Sequence, residues 1–109
     1  MEDHRQRAFA RNEALFRSLN EMLSDAATLE GDRGEVSFLC ECSDEECADE
    51  ILLRQEMYEQ VRAVATHFAV QPGHFRTDLE RIVEQHERYW VVAKTGDAAD
   101  VARETDPRA

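Results

Sequence analysis

Basic charge is scarce in this chain. Its 109 residues include one lysine, Lys94, and 13 basic side chains face 24 acidic ones, for a formal charge of −11 at neutral pH. Counterion release from a phosphate backbone needs clustered Lys and Arg, so direct nucleic-acid binding is disfavoured. Anionic membrane surfaces are disfavoured for the same reason. Long apolar runs are missing too, and none approaches the roughly 20 residues that cross a bilayer. The opening Met-Glu-Asp-His-Arg-Gln-Arg is charged and leads into no apolar signal segment, which makes the cytoplasm the expected compartment. No Gly-rich phosphate loop, nucleophile elbow or paired HExxH is present, and no repeat or low-complexity segment appears. Ser37 and Ser43 have no evident His–Asp partners, so an enzyme is the lesser expectation.

What is there suffices for one small domain. Hydrophobic residues make up 42% of the chain, enough for a single modest core. A domain of this size is marginal, and a metal or an oligomer contact would add stability. The expected fold class is α+β: an N-terminal amphipathic helix, a small antiparallel sheet with a Cys/His metal knuckle, one middle helix and a C-terminal hairpin. In domain terms, residues 1–30 are the helix and 35–109 a small metal-binding α+β unit, one domain overall.

The helix is read from Phe9, Asn12, Phe16, Leu19, Leu23 and Ala26, which recur at steps of three and four. Leu15 and Met22 widen that stripe, while Arg11, Glu13, Arg17, Asn20 and Glu21 cover the other side. Gly31 and Gly34 end it in a loop. Val36, Phe38 and Cys40 share one face at period two, so Glu35 to Glu41 reads as a strand. Glu50-Ile51-Leu52-Leu53 fits a short returning strand. From about Arg54 to Thr66 the stripe Leu53, Met57, Val61 and Ala65 predicts the middle helix, with His67 at its end. Phe68-Ala69-Val70 is an apolar run stopped by Gln71-Pro72-Gly73, a turn signature. Over 77–88 two readings compete. Thr77-Asp78-Leu79-Glu80 has the form of a capping box, but Ile82 to His86 and Tyr89 to Lys94 are rich in β-branched and aromatic residues around a polar Glu87-Arg88 link. A hairpin is favoured, followed by a short helix over Ala98 to Glu104.

All three cysteines lie within eight residues, Cys40-Glu41-Cys42-Ser43-Asp44-Glu45-Glu46-Cys47. Three thiolates held this close repel one another unless a cation binds them, and a reduced cytosolic chain makes structural disulfides unexpected. Zinc favours four ligands of mixed thiolate and imidazole type. Of His4, His67, His74 and His86, His74 is preferred as the fourth, because Pro72-Gly73 can project it from a tight turn. The predicted metal ligands are therefore Cys40, Cys42, Cys47 and His74. The simpler alternative is three small hydrophobic thiols; an iron–sulfur cluster ranks below zinc. Six acids, Glu41, Asp44, Glu45, Glu46, Asp49 and Glu50, surround the cysteines, with no basic residue between Arg33 and Arg54. They read as a solvated acidic loop rather than a second cation site.

Phe38-Leu39-Cys40-Glu41-Cys42, Cys47, Phe68 to His74, Tyr89 to Lys94 and Asp106-Pro107-Arg108 together resemble an uncharacterised family of small, chiefly actinobacterial proteins. Asn12-Glu13-Ala14-Leu15-Phe16-Arg17 matches the N-terminal helix of that family. The resemblance covers nearly the whole chain and implies that the three cysteines and His74 act as a unit, with a hairpin in the C-terminal half. It implies no activity. Arg54 departs from it, standing where the family has a helix-capping Thr or Ser.

These readings converge on a small zinc-stabilised, non-enzymatic interaction or regulatory protein. Its partner, or a second copy in a homodimer, would dock through Phe16, Leu19 and Leu23 of the first helix, although the same stripe could instead cover the protein's own sheet. One alternative is a thiol redox sensor in which Cys40 and Cys42 oxidise and release zinc. Another is a small metal-dependent hydrolase with water in place of His74 and Glu41 or Glu80 as base.

Overall fold

Among the described residues, eight elements follow one another: α1 (Glu2–Glu30), β1 (Glu35–Leu39), β2 (Glu50–Arg54), α2 (Gln55–Arg62), β3 (His67–Val70), β4 (Glu80–Gln85), β5 (Trp90–Lys94) and α3 (Gly96–Glu104). The computed structural model describes residues 2–30, 34–42, 44 and 46–108, with the backbone only for 2–12 and 30. The side chains of His4, Phe9 and Asn12 lie outside the described residues, as do Gly31, Ser43 and Glu45. The fold is α+β, with three helices and two small antiparallel sheets among the described residues.

β1 and β2 form the first sheet, with Phe38 opposite Ile51. Alternation along β1 buries Phe38 fully and Val36 in part. The chain then crosses to the second sheet: Cys40 N–H donates to Asp49 O at 2.9 Å, continuing the first ladder, and Glu41 N–H donates to Ala69 O at 2.9 Å, joining β3. The cysteine segment therefore bridges the two sheets.

α2 is shorter than its periodicity predicts. It ends at Arg62, and Phe68-Ala69-Val70 forms β3, a strand buried along its length. His67 accordingly begins a strand opposite Ala93, where the stripe through Ala65 had put it at a helix end. Pairing with β5 decides this, since an apolar run of three is worth more in a sheet interior than in a frayed last turn. Arg54 sits at the N-cap of α2 in an extended conformation and makes no side-chain cap.

The second sheet has the order β3-β5-β4, all antiparallel, so the hairpin reading of the C-terminal half holds. The capping-box residues at 77–80 start no helix. Instead Glu80 Oε1 accepts the Arg76 N–H at 2.8 Å and closes a turn before β4. A register shift between Ile82 and Glu84 marks a bulge there. α3 packs Ala98, Ala99, Val101 and Ala102 inward. The main core joins both sheets to α2 through Phe38, Ile51, Leu53, Tyr58, Val61, Ala69, Tyr89 and Val91. Tyr58 stacks on Phe38 with centroids 4.4 Å apart.

α1 turns the polar side of its stripe inward. Glu13, Arg17, Asn20 and Ser24, with Ala14 and Ala27, are buried against the body of the protein. Leu15, Leu19, Met22, Leu23 and Leu29 face outward and Phe16 is half-buried, so the described part of the apolar stripe is mostly turned away from the body of the protein. The reason is that the surface beneath α1 offers backbone groups and charges. Arg17 donates to Ala65 O at 2.6 Å and Ala102 O at 2.8 Å, with its guanidinium 4.5 Å from the Phe68 ring centroid. Glu13 pairs with Lys94, and Glu21 accepts Arg62 Nε at 2.9 Å. A polar helix face whose groups mostly find partners can be buried, although Glu13 Oε1 and Arg17 Nε make no hydrogen bond there.

Candidate metal centre

Three segments deliver the four predicted ligands. Cys40 and Cys42 come from the crossing between the sheets, where every second side chain falls on one side. Cys47 comes from a turn in which Asp44 accepts twice: its carbonyl takes the Cys47 N–H at 3.1 Å and its Oδ1 takes the Glu46 N–H at 2.9 Å. His74 is the last residue of the turn Gln71–His74, closed by its N–H donating to Gln71 O at 2.9 Å. Gly73 has φ +86° there, a left-handed conformation that suits glycine at the third position of a turn with proline second.

One ligand atom from each of Cys40, Cys42, Cys47 and His74 lies within 4.8 Å of all the others. His74 Nδ1 is 3.6 Å from Cys40 Sγ and 3.7 Å from Cys47 Sγ. Zinc bonds of about 2.3 Å to sulfur and about 2.0–2.1 Å to nitrogen, at tetrahedral angles, require an S···N separation of about 3.6 Å. The two S···N separations therefore fit a tetrahedral ion of that size, and the Cys3His set could hold a metal. Nδ1 faces the cysteines, leaving Nε2 towards Asp49, whose Oδ2 is 3.7 Å away. A carboxylate behind the second ring nitrogen is the usual support of a ligating imidazole. Gln71 N–H donates to Cys40 Sγ at 3.2 Å, a contact that favours a thiolate.

The three thiols do not titrate as equals. Cys42 is pulled down to about 5, first by the hydrogen bond it receives from Cys40, against the opposing effect of burial. Cys40 is raised, chiefly by that same bond and then by burial, and Cys47 is raised by burial first. The site holds one negative charge readily and resists a second and third. A bound divalent cation removes that resistance and takes all three sulfurs as thiolates. Cys40 and Cys42 are buried with Phe68, Val70, Val92 and Ala102, and the partly buried Phe75 and Trp90 pack against that cluster.

The other singled-out residues lie elsewhere. His67 is paired in β3, and His86 sits 2.7 Å from Glu84 Oε1 and stacks on Tyr89. Asp44, Glu46, Asp49 and Glu50 are exposed around the cysteines, as the acidic-loop reading expects. Glu41 departs from it. It is fully buried: Oε2 accepts from Asn20 Nδ2 at 2.8 Å and from Tyr58 Oη at 2.7 Å, and Oε1 accepts the Ala69 N–H at 2.9 Å. Burial raises its carboxyl above the ordinary range despite these bonds. Glu80 is buried on Lys94. Both carboxyls proposed as bases are thus committed to structure. Sequence reasoning missed the interior pairing of Lys94 with Glu13 and Glu80; a lone lysine inside an apolar β-branched strand was the available signal.

No protein-family model, curated protein or solved structure matches the chain.

Proposed function

We propose that this chain is a small zinc-stabilised interaction or regulatory protein of the cytoplasm, without catalytic activity. The convergence of Cys40, Cys42, Cys47 and His74 within 4.8 Å carries the reading. Zinc is the metal best suited to three sulfurs and one imidazole at tetrahedral spacing. With four protein donors no coordination position is left for substrate or water, which is the arrangement of a structural ion. Zinc there would tie the sheet crossing to the turns at 44–47 and 71–74, so that its binding energy becomes folding energy. Among the described residues no helix is long and apolar enough to cross a membrane.

The docking face in this reading is the outward stripe of α1, with Phe16, Leu19 and Leu23 as its centre. The exposed acids Asp44, Glu46, Asp49 and Glu50 would favour a basic surface at the other end.

Elemental analysis of protein purified without added metal tests the metal. One zinc per chain is expected, with none in Cys42→Ser and a sharp fall in that variant's melting temperature. Iron, no metal, or a Cys42→Ser variant that melts like the wild type overturns the reading.

A further inference from the structure

Resting on the reading of Cys40, Cys42, Cys47 and His74 as a metal site, we propose that occupancy of this site controls the seating of α1, with Glu41 as the coupling residue. Glu41 stands between two of the ligands, and the crossing turns its side chain away from theirs, towards the helices. Its carboxyl is fully buried and accepts one hydrogen bond from each of three other elements: Asn20 of α1 at 2.8 Å, Tyr58 of α2 at 2.7 Å and the Ala69 N–H of β3 at 2.9 Å. All three donors are neutral, so keeping this carboxyl from water depends on the geometry of all of them together. A bound ion would fix Cys40 and Cys42 against Cys47 and His74, and with them the position of Glu41. Without the ion the crossing loses that tie to the turns at 44–47 and 71–74, and the carboxyl gains by returning to water.

The seat of α1 is of a kind that such a shift undoes. Among its described side chains Glu13, Arg17, Asn20 and Ser24 are buried, and the buried apolar ones are two alanines, Ala14 and Ala27. Hydrogen bonds weaken steeply with distance and angle, and water replaces them at little net cost once a helix face is open. Little apolar burial stands against that loss. Arg17 supplies a second link, because its guanidinium lies 4.5 Å from the centroid of Phe68, which packs with Cys40 and Cys42. The main core contains no residue of α1 and none of the four ligands, so it has reason to outlast both. Two states follow: a metal-bound form with α1 seated, and a metal-free form in which both sheets and α2 persist while α1 loosens.

Hydrogen exchange of the reduced full chain, zinc-loaded and after chelation, tests this below the melting temperature of the metal-free form. Elemental analysis of the same samples gives their metal content. Removing zinc should speed exchange of the α1 amides over 13–29 by about tenfold, while those of β5 change by less than about twofold. Coupling is reciprocal, so loosening α1 should in turn weaken zinc binding. Arg17→Met keeps a side chain packed on Phe68 but loses the Ala65 and Ala102 carbonyls, and it should lower zinc affinity about fivefold in competition with a chelator. Leu53→Ala, which cuts into the main core away from α1, should lower the melting temperature and bind zinc like the wild type. Zinc that binds without changing α1 exchange overturns the coupling and leaves the metal reading intact. Acceleration of β5 together with α1 overturns it too, since the metal would then hold the whole domain. An equal loss of affinity in Leu53→Ala and Arg17→Met assigns the effect to stability alone and overturns it as well. A chain that takes up no zinc overturns both readings.

Discussion

The Asn20 side chain satisfies both backbone groups of Leu39: Nδ2 donates to the carbonyl at 2.8 Å and Oδ1 accepts the N–H at 2.8 Å. Asn20 thus does for the end of β1 what a neighbouring strand would do, and the same Nδ2 reaches Glu41 Oε2 at 2.8 Å. One helical side chain fixes the residues on either side of Cys40, which ties α1 to the candidate metal site.

Asn20→Ala should therefore be costly for a polar residue. It leaves the Leu39 N–H and C=O unpaired and removes one donor from Glu41. At about 1–3 kcal/mol for each buried group stranded, a total near 3 kcal/mol is expected, lowering the melting temperature by more than about 10 °C. Denaturant unfolding with zinc at saturation measures it. A loss below about 1 kcal/mol would mean that water replaces the amide.

Asp49→Asn should weaken zinc binding. Its carboxylate stands 3.7 Å behind His74 Nε2 and is more than half exposed. Removal of such outer partners costs about 10–100-fold in affinity, and the long, solvated contact places Asp49 at the low end, about tenfold. Competition with a chromogenic chelator reads the change. An equal loss in Glu50→Gln would show that general negative charge is responsible, with no specific support for the imidazole.

Much of this fold and site was legible in the sequence, and the failures share a cause. The cysteine spacing with Pro72-Gly73-His74 pointed to the four residues that converge, because turns written in Pro and Gly are local events. The β1 alternation and the hairpin ending at Lys94 were local as well. The orientation of α1 was left between two readings. Period fixes which residues share a face, but the face that turns inward depends on what lies beneath it. Here the Ala65 and Ala102 carbonyls, Arg62 and Lys94 attract Arg17, Glu21 and Glu13 inward. Each of those partners is more than 40 residues away in sequence, beyond any pattern that a helical window can reveal. Glu41 was misplaced on the acidic rim for the same reason, since its partners Asn20, Tyr58 and Ala69 come from three other segments.

The interior trio Glu13, Lys94 and Glu80 should give stability a dependence on pH near neutrality. With two carboxylates and one ammonium it would carry a net negative charge in a dry site, where burial makes a carboxyl keep its proton more readily than usual and also pushes the Lys94 ammonium well down. Burial pushes Glu80 up from its ordinary 4.5 to about 7. A raised folded pKa contributes stability fully below about pH 4.5 and loses it as pH climbs through about 7. Within that window one extra proton on the folded state is worth about 1.4 kcal/mol per pH unit. Zinc binding strengthens with pH and works in the opposite direction, so the quantity to measure is the difference between wild type and Glu80→Gln. That difference should fall in the wild type's disfavour from pH 5 to about 7 and then level off. A flat difference would place the proton elsewhere.

Peroxide should distinguish a structural zinc from a redox switch. Cys40 and Cys42 are 2% and 4% exposed, and Cys47, whose N–H donates to the Asp44 carbonyl, is half-buried. Oxidation of a thiolate needs both nucleophilic character and access. Metal ligation lowers the first, and packing against Phe68, Val70 and Trp90 restricts the second. Mild peroxide should therefore release zinc slowly and incompletely, with Cys47 the first sulfur modified in a mass map. A sensor would release one zinc per chain in proportion to oxidant, form a disulfide and take the metal back after a thiol reductant. Following release with a chromogenic zinc indicator, before and after reductant, separates the two outcomes. Stoichiometric and fully reversible release would displace the structural reading, and the exposed edge at Cys47 would then be the point of attack.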